Sequence, residues 1–248
     1  MTAALCQLVL PFPHQPDFAA SDFITAPSNA AALAWLDRTA DWPGGRLALW
    51  GEAGRGKTHL LHRWADGRGA RLLSGPALTG LPELPEVQLP GVGGVALDDA
   101  DMAAEETALL HLLNAAAEAG LPVLLAGRTP PARWPVRLPD LASRLRAITA
   151  VEIGPPEDSL LRALLARLLS DRQLAVAEGV QDYLLTRLPR TPAALADAVR
   201  RLDRYALATG GAVTRALSAM VLAEIAGVEE NEISAIPPPM PSFGARLL

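Results

Sequence analysis

The chain has 248 residues and carries 22 Lys and Arg against 27 Asp and Glu, a formal net charge of −5; half of it is hydrophobic and only 4% aromatic. That length builds one large domain or two small ones around a real core, packed by Ala and Leu and rich in helix. A charged fraction of 20% excludes a disordered polyampholyte, no apolar run reaches the roughly 18–20 residues of a membrane helix, and the lone Cys6 excludes an internal disulfide framework or a cysteine-based zinc site.

The opening stretch, MTAALCQLVLPFPHQ, lacks a basic region and is broken by Pro11 and Pro13, so it is not read as a signal peptide. With the single cysteine this points to a cytoplasmic protein with no membrane partner. The acidic balance argues against tight, sequence-independent nucleic-acid binding by the whole surface. Residues 1–16 read as a flexible arm. From Ser28 the pattern turns helical, with Ala31, Leu33, Ala34, Trp35 and Leu36. Pro43-Gly44-Gly45 makes a turn, and RLALW, 46–50, reads as a buried strand. A glycine-rich loop and a helix through His59–Trp64 follow. Residues 67–93, dense in Gly and Pro, allow one short strand, 70–73. GVALDD, 94–99, is a strand closing in two carboxylates. Then come a helix over 104–118, with Leu109, Leu110, Leu112 and Leu113 on its apolar face, a strand over 122–127, a short helix around Leu138–Arg146 and a strand over 148–153.

Strands alternating with helices predict a parallel α/β sheet sandwiched by helices over 17–154. After Pro155-Pro156 the pattern changes. Residues 155–227 contain four helical stretches and no strand, which predicts a small all-helical subdomain, with Thr191-Pro192 as a cap and first helical residue. Residues 228–248, acidic and then PPPMP, are expected to be a disordered tail.

Of the 22 basic residues, 21 are arginine; Lys57 is the only lysine. Where arginine serves every other need for positive charge, a retained lysine marks a place for a compact ammonium. Lys57 lies in GEAGRGKT, which fits the phosphate-binding spacing G-x-x-x-x-G-K-[ST] between a predicted strand and a predicted helix. Gly51, Glu52, Ala53, Gly54, Arg55, Gly56, Lys57, Thr58 and His59 therefore form the candidate nucleotide-binding set. In such a loop backbone N–H groups wrap the phosphates, the lysine reaches the β- and γ-phosphates, and the Thr58 hydroxyl ligates Mg²⁺. Asp98 and Asp99 end an apolar strand about 40 residues later. Asp98 is the candidate second Mg²⁺ ligand, and Asp99 the candidate carboxylate that polarises the attacking water. His14, His59, His62 and His111 share no metal-ligand spacing, and the arginines of 162–204 read as the solvated face of the helical subdomain.

The P-loop, the Asp98-Asp99 pair, the SRL segment at 143–145 and the helical subdomain together resemble an AAA+ ATPase, and more closely its DnaA-type branch. DFITAPSN, 22–29, is similar to the segment that in this branch packs near the adenine, and WGEAGRGKTHLLHR, 50–63, to its P-loop. The resemblance spans roughly residues 17–226. It implies a P-loop AAA+ domain followed by a lid, with ADP or ATP and Mg²⁺ as cofactors. Within SRL it implies that Arg144 acts as an arginine finger toward a neighbouring subunit's γ-phosphate. QLVLPF resembles the short motif that docks proteins on the bacterial β sliding clamp, through Gln7, Leu8, Leu10, Pro11 and Phe12. No helix-turn-helix pattern follows the lid. These features together resemble the Hda-type regulators, DnaA homologues that restrain replication initiation.

The implied activity is stimulation of ATP hydrolysis by DnaA from a clamp-tethered position, with DNA reached only through the clamp. Two departures bear on this protein's own hydrolysis. The position that usually carries a small polar or acidic sensor residue reads Gly127-Arg128-Thr129, and the second sensor arginine is matched by Ala193, with only Arg190 nearby. Weak or no intrinsic turnover, with activation of a partner, is the resulting expectation; a homo-oligomer is compatible with it. The alternative is a self-sufficient AAA+ ATPase of DnaA-like or helicase-loader type. A small-molecule kinase fits less well, because a helical lid follows the last strand and no substrate-pocket motif is evident.

Overall fold

A computed structural model describes residues 24–80, 91–209 and 211–234. Five parallel strands form one sheet: β1 (Arg46–Trp50), β2 (Arg71–Ser74), β3 (Val95–Asp98), β4 (Val123–Gly127) and β5 (Thr149–Glu152), in the order β2-β3-β4-β1-β5. The helices are α1 (Pro27–Leu36), α2 (Lys57–Arg68), α3 (Glu106–Glu118), α4 (Pro139–Arg146), α5 (Asp158–Asp171), α6 (Glu178–Leu185), α7 (Pro192–Thr209) and α8 (Arg215–Ser234).

Side chains alternate along each strand, and the two faces fill two separate apolar layers. Leu47 and Leu49 of β1, Ala96 of β3 and Leu124 and Ala126 of β4 pack with Leu33, Leu60, Leu61 and Trp64 of α1 and α2. Ala48, Val95, Leu97, Val123 and Leu125 face the other way, onto Leu109, Leu112, Leu113, Leu141 and Leu145 of α3 and α4. Buried on both faces, β4 has no exposed residue, as a central strand of a parallel sheet should. The α1–α2 layer also holds two tryptophans whose rings stack at 5.3 Å. Trp42 Nε1 donates to the Trp35 carbonyl and Trp64 Nε1 to Thr39 Oγ1, so neither indole N–H is stranded in the core.

The chain divides into two compact units. Among the described residues, one comprises 24–80, 91–164 and 190–193, and the other 165–189, 194–209 and 211–234. The expected boundary after residue 154 is thus displaced. Glu157 accepts hydrogen bonds from the Ser28 N–H (2.7 Å) and Ser28 Oγ (2.9 Å), which ties the start of α5 to α1. The helical unit buries Leu165, Leu169, Leu184, Leu195, Val199, Leu202 and Val221. Its arginines largely serve local ion pairs: Arg201 with Asp197 and Glu224, Arg172 with Asp203. The expected tail boundary at 228 is corrected, because α8 continues to Ser234. Glutamates at 229, 230 and 232 are good helix formers, and the prolines that cannot continue a helix come only at 237–239. Among the described residues no helix is long and apolar enough to cross a membrane.

Candidate nucleotide site

The site is built at the carboxyl ends of β1, β4 and β3, which lie side by side in the sheet. After Trp50 the chain turns through Gly51, where a Cβ would stand 2.6 Å from the Ile153 carbonyl oxygen, so only glycine lets the loop leave between β1 and β5. Gly56 precedes α2 at φ +91°, a left-handed conformation that costs glycine little. At Gly54 a Cβ would meet the Thr191 side chain at 3.0 Å, so the loop is backed by the 190–193 segment. Glu52 and Arg55 form an ion pair of 2.5 Å on the loop's outer side, Ala53 is exposed, and His59 sits half-buried in the first turn of α2.

Lys57 opens α2 and is only 7% exposed. Its Nζ donates to the carbonyls of Gly51 (2.7 Å) and Glu52 (2.8 Å). Burial lowers its pKa; Asp98, Asp99 and Asp101 oppose that shift, and Arg128 adds to it. The next residue, Thr58, donates its hydroxyl to Asp98 Oδ2 at 2.7 Å, joining the loop after β1 to the end of β3. Asp98 Oδ1 accepts the Asp99 N–H at 3.1 Å. Asp99 takes φ +47°, which ends β3 one residue short of the expected strand. Gly75 backs it, leaving no room for a Cβ beside the Asp99 carbonyl.

A hydroxyl and a carboxylate in contact are the hard oxygen donors that suit Mg²⁺. Among the described residues no group of three or more His, Cys, Asp or Glu could hold a metal unaided. Thr58 and Asp98 therefore fit an ion that keeps water and takes the rest of its shell from phosphate oxygens, as Mg²⁺ does.

Two residues of this end carry no motif signal. Asp101 lies in the short 3₁₀ turn Ala100–Met102 and accepts the Arg128 N–H at 2.8 Å. Thr191 backs Gly54. A third carboxylate shortly after Asp98-Asp99 is the available sign of the first; the second reads in sequence only as the cap before Pro192. At the sensor positions, Gly127 ends β4 with no side chain, Arg128 follows it exposed, and Arg190 is ion-paired with Asp158.

Arg144 lies elsewhere. It sits in the last turn of α4, 34% exposed, and pairs with Asp140 at 3.3 Å. Its charge reaches Arg46 at the opposite, amino end of β1 and, after burial, contributes to lowering that residue's pKa. Arg46 itself donates to the Leu113 carbonyl at 3.0 Å. The proposed clamp-docking residues Gln7, Leu8, Leu10, Pro11 and Phe12 lie outside the described residues.

The chain is 24% identical, over an alignment of 241 residues, to the chromosomal replication initiator protein DnaA of Thermus thermophilus; the match covers 88% of this chain and 55% of the relative. It thus spans about half the length of the curated relatives it matches. Domain III of the Thermotoga maritima DnaA superposes with a TM-score of 0.70 at 20% identity, covering 86% of this chain and 98% of that one. The fold is the AAA+ P-loop fold of DnaA domain III. DnaA from Aquifex aeolicus, solved with AMPPCP, gives a TM-score of 0.59 at 21% identity over 75% of this chain and 65% of that one. RuvB from Thermotoga maritima, solved as a point variant, gives 0.62 at 18% identity over 83% and 71%. No protein-family model matches the chain.

Proposed function

We propose that this protein is a DnaA-like AAA+ module that binds an adenine nucleotide with Mg²⁺ and regulates chromosome replication initiation. The observation that carries this is the buried Lys57 beside the Thr58–Asp98 hydrogen bond, on the DnaA domain III fold. Lys57 and the α2 amino terminus hold the phosphates, and Thr58 and Asp98 hold the ion. When bound, Mg²⁺ neutralises charge on the phosphate oxygens. Asp99 orients the attacking water.

In the finer reading the protein docks on the β sliding clamp through Gln7, Leu8, Leu10, Pro11 and Phe12 and inserts Arg144 at the γ-phosphate of DnaA–ATP. Support for it comes from Arg144 acting on Arg46, at the end of β1 opposite to the P-loop, where it is of no use in cis. A catalytically poor subunit can still control the outcome, because a finger supplied in trans is worth roughly 10³–10⁵ in rate. Hydrolysis of DnaA–ATP with loaded clamp and added protein is the test. Stimulation that needs residues 7–12 supports the regulator. The second reading, a self-sufficient DnaA-like ATPase or helicase loader, draws on the intact Asp98-Asp99 pair. Appreciable turnover by the pure protein, with no effect on DnaA–ATP, selects it.

A further inference from the structure

The helix that carries Arg144 is fastened by a residue of another helix, one that the nucleotide chemistry does not use. α4 has only eight residues, and its cap position is Leu138, whose side chain offers no oxygen to the first turn. Pro139 follows and has no N–H. Immediately before the helix, Glu106 takes two backbone donors in succession. The Arg137 N–H lies 2.9 Å from both of its carboxylate oxygens, and the Leu138 N–H donates to Oε2 at 2.8 Å. Glu106 is itself the first residue of α3. One half-buried carboxylate thus stands at the amino ends of two helices, where the aligned peptide dipoles favour a negative charge.

The contact bears on Arg144 because of where that residue finds its partner. Among the described residues its ion pair is with Asp140, four residues back on the same helix. Asp140 moves with α4, so it cannot fix the guanidinium relative to the sheet; whatever fixes α4 does. Leu141 and Leu145 set the face that packs with Leu109, Leu112 and Leu113 of α3, but apolar burial is non-directional and leaves room for a tilt. At its carboxyl end α4 passes within three residues into β5. At its amino end, among the described residues, the hydrogen bonds that tie 135–139 to another element are those to Glu106. Two fastened ends define the helix axis. With the amino end released, α4 pivots about its junction with β5, and the Arg144 guanidinium in the last turn swings with it.

We propose that Glu106 is a positioning residue for the trans-acting arginine: by fastening the amino end of α4 it sets where Arg144 stands when a partner's γ-phosphate meets it. The inference rests on the finger reading of Arg144 above. A carboxylate suits the task because hydrogen bonds to a charged acceptor are shorter and stronger than neutral ones. Placement matters because an error of about 1 Å in a catalytic group costs on the order of 10² in rate.

The experiment measures hydrolysis of DnaA–ATP with loaded clamp against rising concentrations of the full chain, for the wild type, Glu106→Ala, Glu106→Gln, Glu106→Asp and Arg144→Ala. Melting temperatures establish that each variant is folded at the assay temperature. Glu106→Ala should lower the maximal stimulated rate roughly ten- to a hundredfold. The concentration giving half-maximal stimulation and the protein's own ADP affinity should stay within about twofold. Glu106→Gln, which keeps an oxygen for both N–H groups, should recover most of the rate. Glu106→Asp keeps the charge but is one methylene shorter, and should not. Hydrogen exchange reads the same contact without activity: the Arg137 and Leu138 amides should lose protection in the Ala and Asp variants and keep it in the Gln variant. A merely structural Glu106 would lower the melting temperature and raise the half-maximal concentration while the maximal rate held. That result, or full stimulation by Glu106→Ala while Arg144→Ala is inactive, overturns this assignment and leaves the finger in place. Should Glu106→Ala fail to fold, equal rates for the Gln and Asp variants overturn it. Full stimulation by Arg144→Ala, or none by the wild type, removes the finger reading and this assignment with it.

Discussion

The two ends of the sheet carry charge in opposite ways. At the carboxyl end the cation is nearly buried, held by two backbone carbonyls and balanced by Asp98, Asp99 and Asp101. At the amino end Arg46 and Arg144 are near enough to repel, and Arg144 has only the exposed Asp140 for company among the described residues. The first arrangement is preorganised for a ligand carried by the protein itself. In the second, a cation sits beside a like charge and is only loosely paired, so it is spare for an anion outside the molecule. Interior charge acts in a low dielectric and is worth far more per contact than an exposed ion pair. The same substitution should therefore have different consequences at the two ends.

The largest effect expected lies at the amino end, and it appears in another protein. If the protein stimulates DnaA–ATP hydrolysis as proposed, Arg144→Ala should remove that stimulation, a loss on the order of 10³ or more in rate. Its own nucleotide affinity and melting temperature should hardly move, since the Asp140 pair is exposed and worth at most about 1 kcal/mol. Full stimulation by the variant would remove the finger and leave an adaptor. Next comes Lys57→Ala, which should weaken ADP binding on the order of a hundredfold and abolish the rise in melting temperature that saturating nucleotide produces. A variant that still gains stability with ADP would break the contrast drawn here.

A third effect probes how tightly the carboxyl end is packed. Gly75→Ala would bring a Cβ to 2.1 Å from the Asp99 carbonyl oxygen, a backbone atom with nowhere to go. We expect a cost of about 1–3 kcal/mol and a displaced Asp99. Gly67, inside α2 with open space around its Cβ position, is the control. Gly67→Ala should stabilise by about 0.5–1 kcal/mol, through helix propensity alone. Thermal unfolding of the two variants checks both signs.

What the sequence makes legible follows from which interactions are local. The runs 46–50 and 123–127 read as strands because both faces are buried and nearly every residue is apolar or small. The buried face of α3, Leu109, Leu112, Leu113 and Ala116, follows helical spacing. Lys57, Thr58 and Asp98 follow from motif spacing, and the fold brings Thr58 against Asp98. Strand order is not legible beyond the resemblance, since crossovers and not local pattern set it. For the same reason Asp101 and Thr191 carry no motif signal: each packs against a glycine far from it in sequence, Asp101 at Gly127 and Thr191 at Gly54. The tail boundary fails on a local rule, because acidity suggests disorder although glutamate favours helix.

The smallest effect concerns the latch beside the P-loop. Ser28, in the first turn of α1, gives its N–H and its hydroxyl to Glu157, and its carbonyl accepts the Gly154 N–H at 3.0 Å. The start of α1, the exit from β5 and the entry to α5 are thereby joined. A hydrogen bond from its own backbone does most to lower the Glu157 pKa, desolvation works against that, and the two Ser28 donors add to the lowering. A carboxylate with a depressed folded pKa contributes stability above its unfolded value, about 4.3, and that contribution fades as pH falls through the folded value. Glu157→Gln keeps the shape and removes the charge. At pH 7 the wild type should melt slightly higher than the variant. The gap should narrow as the pH is lowered through the glutamate range and close once Glu157 is protonated in both folded and unfolded chains. A gap that persists unchanged in acid would mean that Ser28 and Glu157 hold these elements by shape alone, and that the carboxyl end needs no charge beyond the aspartates around Lys57.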